Sequence, residues 1–243
     1  MAVTVNIKDL FESGAHFGHK TSRWHPKMAS FIHSKRGDSH IINLDKTVEQ
    51  LEKALPVITE VVSDGKQVLF VGTKNQISEL VRAAAESVGQ PYVTERWLGG
   101  MLTNSATISS QIKKLKMLEK KMASGELVNR HTKLEVQRFA EQIDDGNKKY
   151  SGIKDLRGKP GVVFVTDAVI DRNAIREAKR LGVPVVAIAD SNTDPVDIDY
   201  IIPANDDAIG AVQLITDYVV AAVRDGQQVS DKKVAPSGGV KEK

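Results

Sequence analysis

Three short runs constrain the fold of this chain more than any other feature: "QVLFVGT" (Gln67 to Thr73), "GVVFVTD" (Gly161 to Asp167) and "VPVVAIAD" (Val183 to Asp190). Each is rich in valine, bounded by Gly, Pro or Asp, and apolar at successive rather than alternate positions. A strand that is apolar on both faces must be covered on both, which is the condition of a parallel sheet flanked by helices. "HIINL" (His40 to Leu44) and "DYIIP" (Asp199 to Pro203) are expected to add strands at either side. Between these runs, Lys46 to Ser63, Gln76 to Val88, Arg172 to Leu181 and Asp206 to Arg224 read as amphipathic helices. The second shows the stripe most clearly, with Ile77, Leu80, Val81 and Ala84 at three- and four-residue intervals. Strands and helices alternating in this order predict a doubly wound α/β fold.

The alternation breaks between Ser105 and Tyr150, too long an interval for an ordinary crossover. Ile108, Ile112, Leu115, Leu118 and Met122 recur at helical spacing, and Leu134, Val136, Phe139 and Ile143 form a second stripe beyond Ser124-Gly125. This pattern predicts an antiparallel coiled-coil hairpin inserted into the sheet domain; the alternative is a helical insertion lying flat on the core. The expected organisation is a sheet domain from 1–104 and 151–226, a hairpin from 105–150 and a mobile tail from 227–243. That tail, "QQVSDKKVAPSGGVKEK", has too few apolar residues to bury.

The 243 residues are 41% hydrophobic, enough for one sizeable core, and include no cysteine, which excludes disulfides and thiolate metal sites. The start, "MAVTVNIKDL", lacks the pattern of a signal peptide, and no apolar stretch approaches the roughly 20 residues that span a bilayer. A soluble, cytoplasmic protein with no membrane partner is expected.

The strand ends, where α/β sheets bind ligands, offer little to an enzyme. Gly72-Thr73-Lys74-Asn75 matches neither G-x-x-x-x-G-K-[ST] nor G-x-G-x-x-G, and is expected to be a tight turn with a solvated lysine. Asp190, Asp194, Asp206 and Asp207 have the oxygens to gather a divalent cation, but Asn205 or Asp206 serves equally as a helix cap. His16 and His19 stand three apart without a third ligand fixed by sequence, so packing or RNA contact is their expected use. Neither G-x-S-x-G nor H-E-x-x-H occurs, and no catalytic residue, metal or cofactor is expected.

Basic residues interleaved with aromatic and amide groups give a different signal. One cluster is Lys20, Arg23, Trp24, His25 and Lys27; a second is Arg96 and Trp97 with Thr103 and Asn104. The third lies on the insertion, with Lys113, Lys114, Lys116, Lys120 and Lys121 on one arm and Lys133, Arg138, Lys148 and Lys149 on the other. Cations neutralise phosphates and flat rings stack on unpaired bases, a combination suited to structured RNA, although any single cluster is equally explained as a solvated face.

"SGAHFGHKTSRWHPKM", "HIINLDKT", "VLFVGTK", "RWLGGMLTN" and "DSNTDP…IIPANDDA", in this order and spacing, closely resemble the bacterial form of the small-subunit ribosomal protein two family, from about Ile7 to Arg224. The resemblance implies a flavodoxin-like parallel sheet with a protruding coiled-coil hairpin, and a structural, non-enzymatic role on the small ribosomal subunit. It further implies contact with small-subunit ribosomal RNA and with other ribosomal proteins, including the messenger-binding ribosomal protein one, in a particle rather than a homo-oligomer. On this reading Gly99 and Gly100 let backbone approach a phosphate chain, Arg96 binds phosphate, and Trp97 stacks or wedges against the core. Two rivals remain: a nucleotide-binding enzyme or sensor using Gly72 to Asn75 with Asp190 and Asp206, and a protein adaptor docking through the hairpin.

Overall fold

A computed structural model describes residues 5–234. From the N-terminus come α1 (Ile7–Glu12), β1 (Phe17–Lys20), β2 (Ile32–Arg36), β3 (Ser39–Ile42) and α2 (Leu44–Ser63), then β4 (Val68–Val71), α3 (Ser78–Ser87) and β5 (Tyr92–Val93). The helices α4 (Ser105–Ala123), α5 (Glu126–Arg130) and α6 (Lys133–Tyr150) follow, and β6 (Val162–Val165), α7 (Arg172–Arg180), β7 (Val185–Ala189), β8 (Tyr200–Pro203) and α8 (Ile209–Val234) complete the described residues.

The parallel sheet has the order β5-β4-β6-β7-β8. Every residue of β4, β6 and β7 is buried, as their unbroken apolar runs require. Their side chains divide by parity. Val68, Phe70, Val162, Phe164, Val186 and Ile188 face a core shared with α2, α3 and α8, while Leu69, Val71, Val163, Val165, Val185 and Ala187 face α7 and the segment around Trp97. Phe70 and Phe164, paired on neighbouring strands, meet edge to face on the first core's side of the sheet, with ring centroids 5.6 Å apart.

Two expectations need correction. His40 to Leu44 does not extend the parallel sheet. A two-residue turn at Gly37 and Asp38 folds β2 back onto β3, and β1 adds on the other side, giving a separate antiparallel sheet of order β1-β3-β2. The outer parallel strand beside β4 is the two-residue β5 instead. The mobile tail expected from Gln227 is helical through Val234, where the described residues end. Gly226 does not stop α8: a Cβ there would lie 2.7 Å from the Thr59 carbonyl oxygen and from the Val62 side chain, so its bare Cα is what lets α8 press on α2.

Residues 105–150 form three helices rather than the expected two, with breaks at Ser124-Gly125 and at His131-Thr132. Leu115 is the buried residue of α4 and packs on the Cα of Gly146, but α6 buries none of its side chains, and Val136, Phe139 and Ile143 are only half-buried. Lys154 ties the base together, its Nζ 2.7 Å from Glu119 and 2.6 Å from Asn147. Among the described residues no helix is long and apolar enough to cross a membrane.

Candidate nucleic-acid interface

The chain's winding reverses at β4, which lies between β5 and β6, and a doubly wound sheet binds its ligand in the crevice outside the strand ends at such a point. Here the crevice is filled by the protein's own groups. Thr73 donates its backbone N–H and its hydroxyl to Asp171, at 3.1 and 2.7 Å. Lys74, expected to be solvated, is instead half-buried, with Nζ 3.4 Å from Asp167, 3.4 Å from Asp206 and 2.6 Å from Asp207. Gly72 is there for packing, because a Cβ would collide with Thr166 and Val81.

The electrostatics of this cluster oppose an anion. Asp167, Asp171 and Asp206 are buried. Burial, reinforced by the charges of Asp167 and Asp190, pushes the Asp206 carboxyl up to about 7, and burial pushes Asp171 up to about 6. Burial alone would lower Lys74, but the bond to Asp207 and the charges of Asp206 and Asp167 hold it at about 12. A phosphate entering here would meet carboxylates before it met the lysine. His19 joins the same cluster from β1, Nδ1 2.9 Å from Asp190 and Nε2 3.5 Å from Asp207, and its bond to Asp190 raises its pKa. One ligand atom each from His19, Asp206 and Asp207 lie within 4.8 Å of one another, so among the described residues this group could hold a metal, and Lys74 already supplies a cation to both carboxylates. Neither Asn205 nor Asp206 caps α8, which begins at Ile209; Asn205 instead accepts the N–H groups of Asp207 and Ala208 at 2.9 and 3.3 Å in the loop ahead of it. His16 and His19 do not act as a pair: His16 stacks on Phe11 with centroids 4.4 Å apart, away from the carboxylates that hold His19.

The three basic clusters stand on three different supports. In the first, Lys20 and Arg23 are exposed, and Trp24 is 38% exposed with its ring 5.2 Å from that of His40. The loop after β7 anchors this segment: the His25 N–H donates to the Ser191 carbonyl at 2.7 Å, and Asp194 lies 3.2 Å from Lys27. Lys27 is therefore already paired, and Asp194, held by that bond, sits below the usual carboxylate range.

The second cluster shows a partner with no local signal in the sequence. Glu177 of α7 reaches the loop between β5 and α4 and accepts the Trp97 indole N–H at 3.0 Å, the backbone N–H groups of Gly100, Leu102 and Thr103 at 2.8, 3.0 and 3.1 Å, and the Thr103 hydroxyl at 3.1 Å. Burial raises the Glu177 pKa, but these bonds outweigh it and hold the carboxyl below its ordinary value. The loop does form an anion cradle, as its glycines suggest, yet its occupant is a side chain of the same protein. Gly100 has φ +87°, the left-handed conformation that turns its N–H inward. Trp97 is 8% exposed and wedges into the core, so its expected stacking on a base is withdrawn, and so is the approach of the Gly100 and Thr103 N–H groups to phosphate. Arg96, Gly99 and Asn104 remain exposed; Asn104 precedes α4 without a capping bond to backbone and accepts instead from the Thr107 hydroxyl at 2.9 Å.

In the third cluster Lys113 and Lys114 are exposed on α4, whereas Lys116 and Lys121 are drawn to Asp155 and Glu126 at 3.1 and 3.8 Å. The surviving candidates are thus exposed cations set around an α/β core whose strand ends carry a lysine already held by carboxylates. A family model described as Ribosomal protein S2 matches residues 10–226.

Proposed function

The chain belongs to the ribosomal protein S2 family, structural proteins of the small ribosomal subunit, and from that premise we propose that it binds small-subunit ribosomal RNA and helps dock ribosomal protein one. The observation that carries the RNA part is a contrast in cation pairing. Lys74 is enclosed by carboxylates, while Lys20, Arg23, Arg96, Lys113 and Lys114 are exposed and have no acidic partner among the described residues. Exposed, unpaired cations are free to displace the counterions of a phosphate chain.

On this reading the sheet domain, 1–104 with 151–226, is the rigid support, and 105–150 is an arm whose helices pair as a coiled-coil hairpin and carry Lys113 and Lys114 to the RNA. Trp24, His25, Gly99 and Asn104 contribute contact surface, Thr103 contributes its exposed flank, and Lys27 contributes only where RNA displaces Asp194. Docking of ribosomal protein one rests on the family relationship. The test is a titration of the purified protein with small-subunit ribosomal RNA over a range of salt. Lys113→Ala with Lys114→Ala should flatten the plot of log K against log salt by about 1.4 to 1.8, two phosphate contacts' worth. An unchanged slope would remove the arm from the RNA-binding surface.

A further inference from the structure

The small antiparallel sheet, unlike the parallel one, leaves a face open to solvent. Strand pairing aligns Phe17, Ile41 and Ser34 in one row and Lys20, Ser39 and Arg36 in the next. Paired residues on antiparallel strands project to the same side, and Ser39 and Ile41 are two apart on β3, so both rows point the same way. The irregularity in β1 between Phe17 and Lys20 lets residues three apart share that side. Ile42, which points the opposite way, is 2% exposed, whereas Phe17 is 51% exposed. Lys20, Ser34 and Arg36 are exposed as well.

Two features of this face point to its ligand. The Phe17 ring continues an aromatic column, 4.0 Å from His16, which in turn stacks on Phe11. One row away stand Lys20 and Arg36, separated by two strand spacings, about 10 Å, and neither has an acidic partner among the described residues. The acids beyond Lys20 are already engaged, Asp190 by His19 and Asp207 by Lys74, which leaves Asp38 in the turn as the nearby carboxylate of the hairpin itself. An open sheet with an exposed ring and flanking cations suits unpaired nucleotides: the ring takes the face of a base and the cations take phosphates. A duplex keeps its bases stacked inside and has nothing to offer the ring.

We propose that the outer face of the sheet β1-β3-β2 is a site selective for single-stranded RNA, where Phe17 stacks on an unpaired base and Lys20 and Arg36 hold phosphates on either side. This rests on the RNA-binding reading above and deepens it by naming the form of RNA and adding Phe17 and Arg36 to the surface.

The experiment is fluorescence anisotropy of the full chain with a labelled short oligouridine and, separately, a blunt RNA duplex of equal length, at stepped salt. Oligouridine should bind more tightly than the duplex. Phe17→Ala should weaken oligouridine binding roughly 5- to 150-fold and leave duplex binding unchanged. Phe17→Leu, which keeps an apolar side chain for folding but has no ring, should show the same selective loss. Lys20→Ala with Arg36→Ala should lower the oligouridine salt slope by about 1.4, at about 0.7 per phosphate on a single strand. Oligouridine binding that survives Phe17→Leu, or that is no tighter than duplex binding, would overturn the proposal; so would a face that takes a peptide and no RNA, which gives the same loss of ring dependence. If these variants are silent while the chain still travels with small subunits, this inference alone fails. If the wild type binds neither RNA form at any salt and leaves the subunits, the broader reading fails with it.

Discussion

The Glu177 carboxylate lies 3.0 Å from the Trp97 indole nitrogen and accepts its N–H, joining a mid-helix acid to a loop 80 residues away in sequence. The same side chain gathers three backbone N–H groups and a hydroxyl from that loop, so the segment "RWLGGMLTN" is shaped from within. What it offers to solvent is set by that bond network.

Glu177→Ala should therefore be costly for a residue that is only half-buried. It leaves the buried indole N–H and the Gly100 and Leu102 donors without their acceptor, and a loss of about 2 to 4 kcal/mol is expected in chemical denaturation. Glu177→Gln, which keeps an acceptor but not the charge, should fall between. A loss under about 0.5 kcal/mol for the alanine variant would mean that water replaces Glu177 without penalty.

The same network predicts a pH dependence. The folded-state pKa of Glu177 is below its ordinary value of 4.5, so its stabilising contribution is fully present above that value and is lost as pH falls through the depressed folded pKa. Melting temperature recorded from pH 6 downward should fall more steeply in the wild type than in Glu177→Gln. Parallel curves would show that the carboxylate titrates alike in both states.

Lys74 should be needed for the fold rather than for a ligand. Lys74→Met strands Asp167 and Asp206 in the interior, at an expected cost of about 3 to 5 kcal/mol at pH 7.5. Because burial and neighbouring charge have already raised Asp206 to about 7, its protonation should recover part of the loss, so the deficit in urea unfolding should shrink at pH 5.5. A variant of wild-type stability that loses binding of a mononucleotide would restore the nucleotide-site reading.

Arg96 and Gly100 should separate binding from folding. Arg96 is exposed and unpaired among the described residues, so Arg96→Ala should leave melting within about 0.5 kcal/mol of wild type and lower the RNA salt slope by about 0.7 to 0.9. Gly100→Val forces a β-branched residue to φ +87° with Asn104 Cβ only 3.1 Å away, and should destabilise the fold. Circular dichroism melts paired with the salt titration distinguish the two outcomes.

The parallel core was legible because Val68 to Val71, Val162 to Val165 and Val185 to Ala189 must hide both faces, a condition written into each run by itself. The small sheet was not, because β2 shows one half-buried residue followed by four exposed ones, and β1 carries an irregularity that breaks its alternation. The end of α8 lies beyond Arg224 because Gly226 packs on Thr59 and Val62, a contact of which the polar run from Gln227 gives no sign. Among the candidate contacts, exposed cations could be named from composition, but their partners could not. Glu177 sits in a charged stretch that gives no hint of Trp97, and Lys74 owes its burial to aspartates 93 to 133 positions away. Long-range pairing decided which basic and aromatic residues were left for RNA.

The most direct test of the central claim is sedimentation of the chain in a cell extract, with and without ribonuclease. A structural protein held on the small subunit by its RNA should travel with the small-subunit peak, stay there when magnesium is lowered to split the subunits, and leave it only when the RNA is digested. A chain found free at the top of the gradient before digestion, or one that stays at the same position after it, would contradict the account.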